Sequence, residues 1–151
     1  MKRWLITIGI FLCGVVSAMA GNDLHLIDSL AIAHLTRCEY KDAEAYLLQE
    51  EYILKDSLGT KDPRYAKVVS NLGRLYSETG DFIQAEPYLL QAIQIYKEAG
   101  DEHSPDYATV LSNMGAFYYY MGNYVQASYY SLQAHYIWVE NYGESSEEGA
   151  K

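Results

Sequence analysis

Apolar residues recur along the chain at the spacing of amphipathic helices. The segment from residue 23 to 37 shows the pattern at Leu24, Leu26, Ile27, Leu30, Ala31, Ala33 and Leu35. Spacings of three and four residues place such side chains on one face of an α-helix. The same rhythm predicts further helices over about 42–58, 63–78, 82–99, 105–121 and 124–142.

Polar caps, prolines and glycines mark the ends of these segments. Asp62 and Pro63 suit the N-cap and the first position of a helix, where the missing N–H of proline has no partner to lose. Gly80 suits a left-handed helix end, and Asp81 with Gln84 predicts a capping box. The same signals return further along the chain, in the same order, at Ser104, Pro105, Gly122, Asn123 and Gln126.

Residues 64–105 and 106–147 are two copies of one pattern. Laid over each other without gaps, they share Tyr65/Tyr107, Asn71/Asn113, Gly73/Gly115, Ala85/Ala127, Tyr88/Tyr130 and Ile95/Ile137, among other identities. Self-similarity at one fixed period indicates a repeat architecture. A fainter copy covers about 22–63, and residues 148–151 are a tail or the start of a fourth copy that is absent.

Small residues predict how the helices pair. Gly73 and Gly115 lie in mid-helix, where glycine costs about 1 kcal/mol relative to alanine. Close approach of a second helix explains them, and Ala85, Ala92, Ala127 and Ala134 offer a flat face for that approach. The sequence therefore predicts three antiparallel helix pairs with no strand.

Residues 1–20 carry the features of a secretory signal peptide. Lys2 and Arg3 precede an apolar run from Leu5 to Val16, and small residues at Ala18 and Ala20 suit a cleavage site. The run is short for a membrane span, so cleavage is favoured over an uncleaved anchor. The chain is thus predicted to be exported to a periplasmic or extracellular location, with no integral membrane span after cleavage.

Charge and cysteine usage narrow the function. With 11 basic and 20 acidic residues, the chain repels nucleic acid over most of its surface, which argues against a nucleic-acid partner. Cleavage would leave Cys38 as the one remaining cysteine. It suits either an intermolecular disulfide or a turn position at which it packs like a small apolar residue.

Candidate chemistry is sparse. The four histidines lack metal-ligand spacing, and the chain has no glycine-rich phosphate loop, nucleophile elbow or cysteine pair. His34 stands where Tyr76 and Tyr118 stand in the later copies, which predicts a packed position. We therefore expect no catalytic residues, no metal site and no cofactor.

Two stretches resemble a known family. "NLGRLY…TGDFIQAEPYLLQAIQIY" and "SPDYATVLSNMGAFYYYMGNYVQASYYSLQAHYIW" resemble tetratricopeptide repeats of the 42-residue type found in kinesin light chains. The resemblance covers residues 23–147. It implies an all-α, right-handed solenoid of three antiparallel helix pairs. It also implies a non-enzymatic scaffold that holds a protein or peptide in a concave groove lined by the first helix of each pair.

Carried over position by position, the resemblance implies a set of groove residues: Lys67, Ser70, Asn71, Arg74, Ser112, Asn113 and Tyr119. Asn71 and Asn113 match the family's groove asparagines. Lys67 and Arg74 are seven residues apart on one helix face, which favours an acidic or carboxylate-bearing partner. Alternatively, these charges pair with nearby acids, for example Arg74 with Glu78.

The last predicted helix has no successor to cover it. Tyr129 and Trp138 on this helix are therefore candidates for self-association into a homo-oligomer. Three functions remain open at this point. The chain is a partner-binding scaffold, the N-terminal sensing or regulatory part of a longer repeat-containing peptidase or signalling receptor, or a self-assembling structural module.

Overall fold

The computed structural model describes residues 23–143, and this range is all-α, as predicted. The helices are α1 (residues 23–36), α2 (Tyr40–Leu58), α3 (Pro63–Glu78), α4 (Phe82–Ala99), α5 (Pro105–Tyr120) and α6 (Tyr124–Tyr142). None of these helices is long and apolar enough to cross a membrane. The signal peptide predicted over 1–20 and the tail at 148–151 lie outside the described residues and stay predictions.

The chain divides into two compact units, Met1–Glu50 and Glu51–Lys151. In the described part of the first unit, Ala31 and Leu35 on α1 are buried, as are Ala43 and Leu47 on α2. The ring of His34 stacks on another α2 side chain, Tyr46, with ring centroids 5.4 Å apart. The predicted packing of His34 is therefore confirmed, although its side chain also contacts solvent.

In the second unit, α3 pairs with α4 and α5 pairs with α6, and α5 also packs against both α3 and α4. A Cβ added at Gly73 would lie 2.6 Å from Cγ of Leu89, and one added at Gly115 would lie 2.7 Å from Oγ of Ser131. The close approach predicted from these two glycines is confirmed. Ring stacking recurs between Tyr76 and Tyr88 and, one repeat later, between Tyr118 and Tyr130.

The predicted helix ends are largely confirmed. Oδ1 of Asp62 accepts a hydrogen bond from the backbone N–H of Arg64 at 2.9 Å, and Gly80 adopts a φ of 81°. The expected capping box at Asp81 is one-sided. The backbone N–H of Gln84 donates to the Asp81 carboxylate, but the Gln84 side chain donates to that same carboxylate at 2.8 Å. The Asp81 backbone N–H is already donated to the carbonyl of Tyr76.

Cys38 departs from its expected role. It occupies the left-handed position that Gly80 occupies one repeat later, with a φ of 59°, but its side chain is exposed. The interpretation that Cys38 packs like a small apolar residue is therefore wrong. A turn between two helices presents the side chain of its left-handed residue outward, so the position selects for backbone conformation rather than for packing.

Candidate functional site

The surfaces of α3 and α5 lie side by side, because these two helices pack against each other. On α3, Lys67 is exposed and Arg74 is half-buried. Their counterparts on α5 behave alike, because Thr109 is exposed and Ala116 is half-buried. Ser112 is also half-buried, between these α5 residues. We call this surface the α3–α5 face. It is where the predicted groove residues would meet a partner.

Three of the predicted groove residues lie beneath this face. Ser70, Asn71 and Asn113 are only 2%, 7% and 8% exposed. The Nδ2 of Asn113 donates a buried hydrogen bond of 2.9 Å to the hydroxyl of Ser70, which joins α5 to α3. The Nδ2 of Asn71 is buried and has no hydrogen-bond partner among the described residues. Contact of these side chains with a ligand stays a prediction, and the Asn113–Ser70 hydrogen bond connects the two helices.

Two basic side chains near the face, Arg64 and Arg74, form ion pairs with acids. Nε of Arg74 donates to Oε1 of Glu78 at 2.7 Å, which is the alternative pairing considered from the sequence. Arg64 makes two 3.0 Å hydrogen bonds to Asp62, and these bonds hold the pKa of that carboxyl below its usual value. Lys67 is exposed and also takes part in an interaction within the chain. An acidic ligand would have to compete with Glu78 for the guanidinium of Arg74.

Tyr119 belongs to an exposed aromatic cluster at the junction of α5 and α6. Its ring lies 6.0 Å from the ring of Tyr120 and 5.6 Å from that of Tyr124, and the three residues are 61%, 49% and 63% exposed. Tyr124 was not predicted from the sequence as a member of this cluster. A signal for it exists, because Tyr124 is the counterpart of Phe82 in the next repeat. The ring of Phe82 packs edge-on against Phe117 of the following helix pair at 5.9 Å.

The third helix pair exposes positions that the second buries. Tyr96 is 1% exposed, whereas Trp138, its counterpart one repeat later, is half-buried. Ile93 is buried, whereas its counterpart His135 is exposed. These differences follow because α5 covers the second pair. Trp138 thus lies on the side of the third pair that corresponds to the side covered by α5 in the second pair, and its role in self-association stays a prediction.

Tyr129 lies elsewhere. Its ring lines a cavity of about 500 Å³ between α4 and α6, with the first half of α5 as its floor. A neighbouring lobe of about 540 Å³ shares five lining residues with it: Lys97, Tyr107, Leu111, Tyr129 and Gln133. We call the two lobes together the α4–α6 cavity. The cavity was not predictable from the sequence, because its lining residues come largely from three helices.

The described histidines and acids do not converge on a metal site. Within residues 23–143, no group of three or more His, Cys, Asp or Glu side chains could hold a metal ion. His34 lies 2.6 Å from a carboxylate oxygen of Glu39, and His103 lies 3.2 Å from one of Glu140. Each of these contacts joins one histidine to one carboxylate near a helix end.

Comparison with known proteins supplies the family. Tetratricopeptide repeat models match residues 23–98 and 108–148. Both matching models are of the kinesin-light-chain-like type, and repeats of this family are generally non-catalytic modules for protein interaction. A search of curated proteins gave no significant match. Together with the paired helices and the fixed repeat period, the two matches show that the chain belongs to the tetratricopeptide repeat family.

Proposed function

We propose that the chain is an exported, non-catalytic scaffold that binds an extended segment of a partner protein along the α3–α5 face. The observation that carries the proposal is that accessible, small side chains on this face lie directly above a buried hydrogen bond between the two helices. On the face, α5 presents the small side chains of Thr109, Ser112 and Ala116, which leave room for a ligand backbone. Beneath it, the Asn113–Ser70 hydrogen bond connects the two helices.

The charge of the α3 side favours acidic side chains in the bound segment. Lys67 is exposed, and Arg74 keeps part of its guanidinium accessible beside Glu78. A carboxylate from the partner would gain charge-assisted hydrogen bonds there. The rest of the chain is acidic, so such a patch would also orient an acidic segment towards this one face.

A selected peptide tests the proposal. Short random peptides would be displayed and selected on the purified protein, and each hit would be synthesised with its Asp and Glu residues intact or replaced by Asn and Gln. We expect Lys67→Glu combined with Arg74→Glu to weaken binding about tenfold or more. Lys97→Glu, a charge reversal in the α4–α6 cavity, is the matched control and should leave binding unchanged. Equal affinity for both peptide versions and for all three proteins would contradict the proposal.

Export is the second part of the proposal. It is supported by the charged start, apolar run and small-residue site in residues 1–20. N-terminal sequencing of the protein purified from its native cells tests it. A chain that begins at Gly21 supports cleavage and export, whereas a chain that retains Lys2 and Arg3 contradicts them.

Self-assembly is a second candidate function, favoured by exposed aromatic side chains on the third helix pair. Tyr124 is 63% exposed and Trp138 half-buried where their counterparts in the second pair are covered by α5. Light scattering across a concentration series would report the molar mass. An oligomer dissociated by Trp138→Glu or Tyr124→Glu, but not by Tyr129→Glu, supports this candidate, and a monomer at all concentrations contradicts it.

A further inference from the structure

The second unit contains two versions of one polar site, at equivalent positions of successive repeats. In the first version, the hydroxyl of Tyr65 on α3 donates to Oε1 of Glu51 on α2 at 3.0 Å. The Gln91 side chain of α4 also interacts with the same hydroxyl. Burial, followed by the hydrogen bond to Glu51, raises the pKa of Tyr65 to about 12. In this version the carboxylate of Glu51 accepts the hydrogen bond that the Tyr65 hydroxyl donates.

The second version keeps the donors and lacks the carboxylate. Tyr107 and Gln133 are the counterparts of Tyr65 and Gln91 one repeat later, but Ile93 stands where Glu51 would recur. Within residues 23–143, burial and nearby groups raise the pKa of Tyr107, and no hydrogen bond to its hydroxyl contributes to that shift. The Nε2 of Gln133 is buried and has no hydrogen-bond partner in that range. A buried amide N–H without an acceptor is destabilising, so a ligand oxygen that accepts from it would offset that cost.

The side chains of Tyr107 and Gln133 line the α4–α6 cavity. Each of its two lobes, of about 500 and 540 Å³, lies in the range of small-molecule sites. The remaining shared lining residues are Lys97, which is exposed in the last turn of α4, and the apolar surfaces of Leu111 and Tyr129. Glu102 also lines the cavity, and its negative charge would repel an anionic ligand. Burial is the largest cause of the raised pKa of Tyr107, and the charge of Glu102 is the second largest. The site thus combines hydrogen-bond donors, one ammonium group and apolar walls.

We propose that the α4–α6 cavity binds a carboxylate carried on an apolar body. One carboxylate oxygen takes the place that Glu51 occupies in the first version and accepts from the hydroxyl of Tyr107. The amide of Gln133 donates to the ligand as well, and Lys97 supplies the opposite charge. The apolar body lies against Leu111 and Tyr129. This site is separate from the α3–α5 face, and its existence does not depend on the proposed function.

Two sources can supply this chemistry, namely a free organic acid and the C-terminal residue of a polypeptide. Four probes separate them: 4-phenylbutyrate, its primary amide, and N-acetyl-Gly-Gly-Phe with a free or an amidated C-terminus. Each would be titrated into the ¹⁵N-labelled full-length protein and followed by amide shifts. We expect each acid to bind about tenfold more tightly than its amide. The tighter of the two acids identifies the source.

Matched variants in the two versions locate the site. Tyr107→Phe keeps the ring and removes the donor, so it should weaken binding of the acid about fivefold or more. Tyr65→Phe makes the same change where Glu51 already fills the site, and it should leave binding unchanged. Glu102→Gln removes the opposing charge and should tighten binding about two- to fivefold. Lys67→Glu, on the α3–α5 face, should have no effect, which separates this proposal from the previous one.

The strongest test restores the missing carboxylate. Ile93→Glu should let the chain occupy its own site and abolish binding of the acid, whereas Ile93→Gln, which lacks the charge, should retain more of it. Far-UV circular dichroism would verify that each variant is folded. The proposal is overturned if acid and amide bind equally, if Tyr107→Phe and Tyr65→Phe behave alike, or if no probe binds at up to about 10 mM.

Discussion

Gly73→Ala tests the argument that a glycine permits the close approach of α3 and α4. An added Cβ would lie 2.6 Å from Cγ and 2.8 Å from Cδ2 of Leu89, and 3.2 Å from the carbonyl oxygen of Ala85. Carbon atoms in contact normally lie about 3.5–4.0 Å apart. Leu89 is fully buried, and its Cγ is the branch point of the side chain, so rotation of a terminal group does not relieve the clash.

The expected magnitude is the difference of two opposing effects. Alanine in place of glycine favours the helix by about 1 kcal/mol. Overpacking of a filled interior typically costs about 1–3 kcal/mol, and the lack of room around Leu89 places Gly73→Ala at the upper end. We therefore expect Gly73→Ala to lower the free energy of unfolding by about 1–2 kcal/mol.

Gly115→Ala is the matched control. Its Cβ would meet Oγ of Ser131 at 2.7 Å, but Ser131 is exposed and its hydroxyl can rotate away. The remaining contact, 3.3 Å to the carbonyl oxygen of Ala127, requires only a small shift. The helix preference of alanine then dominates, and the free energy of unfolding should stay unchanged or rise by up to about 1 kcal/mol.

Urea unfolding followed by far-UV circular dichroism measures both variants. With an m value of about 2 kcal/mol/M, a loss of about 1–2 kcal/mol lowers the midpoint by about 0.5–1 M. In a Leu89→Ser background, which copies the third helix pair, Gly73→Ala should no longer destabilise. The reasoning is refuted if Gly73→Ala is as stable as the parent protein, or if Leu89→Ser leaves its effect unchanged.

Three further predictions follow from other contacts. Cys38→Gly is expected to raise the free energy of unfolding by up to about 1 kcal/mol, because glycine adopts a φ of 59° without strain, and Cys38→Ala should not raise it in urea unfolding. Asn113→Ala is expected to lower it by about 1–3 kcal/mol, since Ser70 loses its buried donor, and adding Ser70→Ala should cost little more. In ultraviolet difference spectra Tyr65 should titrate at about pH 12. Its contribution to stability is therefore present below its ordinary pKa of 10 and is lost as the pH rises towards 12. Replacing its partner, in Glu51→Gln, should lower the pKa of Tyr65.

The helices and their ends were predictable because their signals are local. Asp62 and Ser104 cap their helices by accepting hydrogen bonds from backbone N–H groups two and three residues away. Pro105 suits the first position of α5 because its own ring fixes φ near the helical value. The partner of the Gln84 side chain was not predictable in this way. Its amide donates to the carboxylate of Asp81 because the Asp81 backbone N–H is donated to Tyr76, a choice made by the turn as a whole.

The candidate sites were less predictable, because burial depends on neighbouring helices. Asn71 and Asn113 were predicted as groove residues, and their contact with a ligand stays a prediction. Only the structure shows that both are buried and that Asn113 pairs with Ser70. Arg74 shows the opposite case. Its partner Glu78 is four residues away on the same helix, so the sequence already contained this pairing as an alternative.

The sequence by itself determined the repeat period, the helix pairing and the family, since these depend on spacing, caps and small residues that recur at fixed intervals. Only the tertiary structure decided which repeated positions differ in environment. Tyr65 and Tyr107 are the same residue at the same repeat position, but one meets Glu51 and the other faces a cavity beside Ile93. The physical reason is that a side chain's solvation and partners are set by atoms on other helices, which a local pattern does not encode.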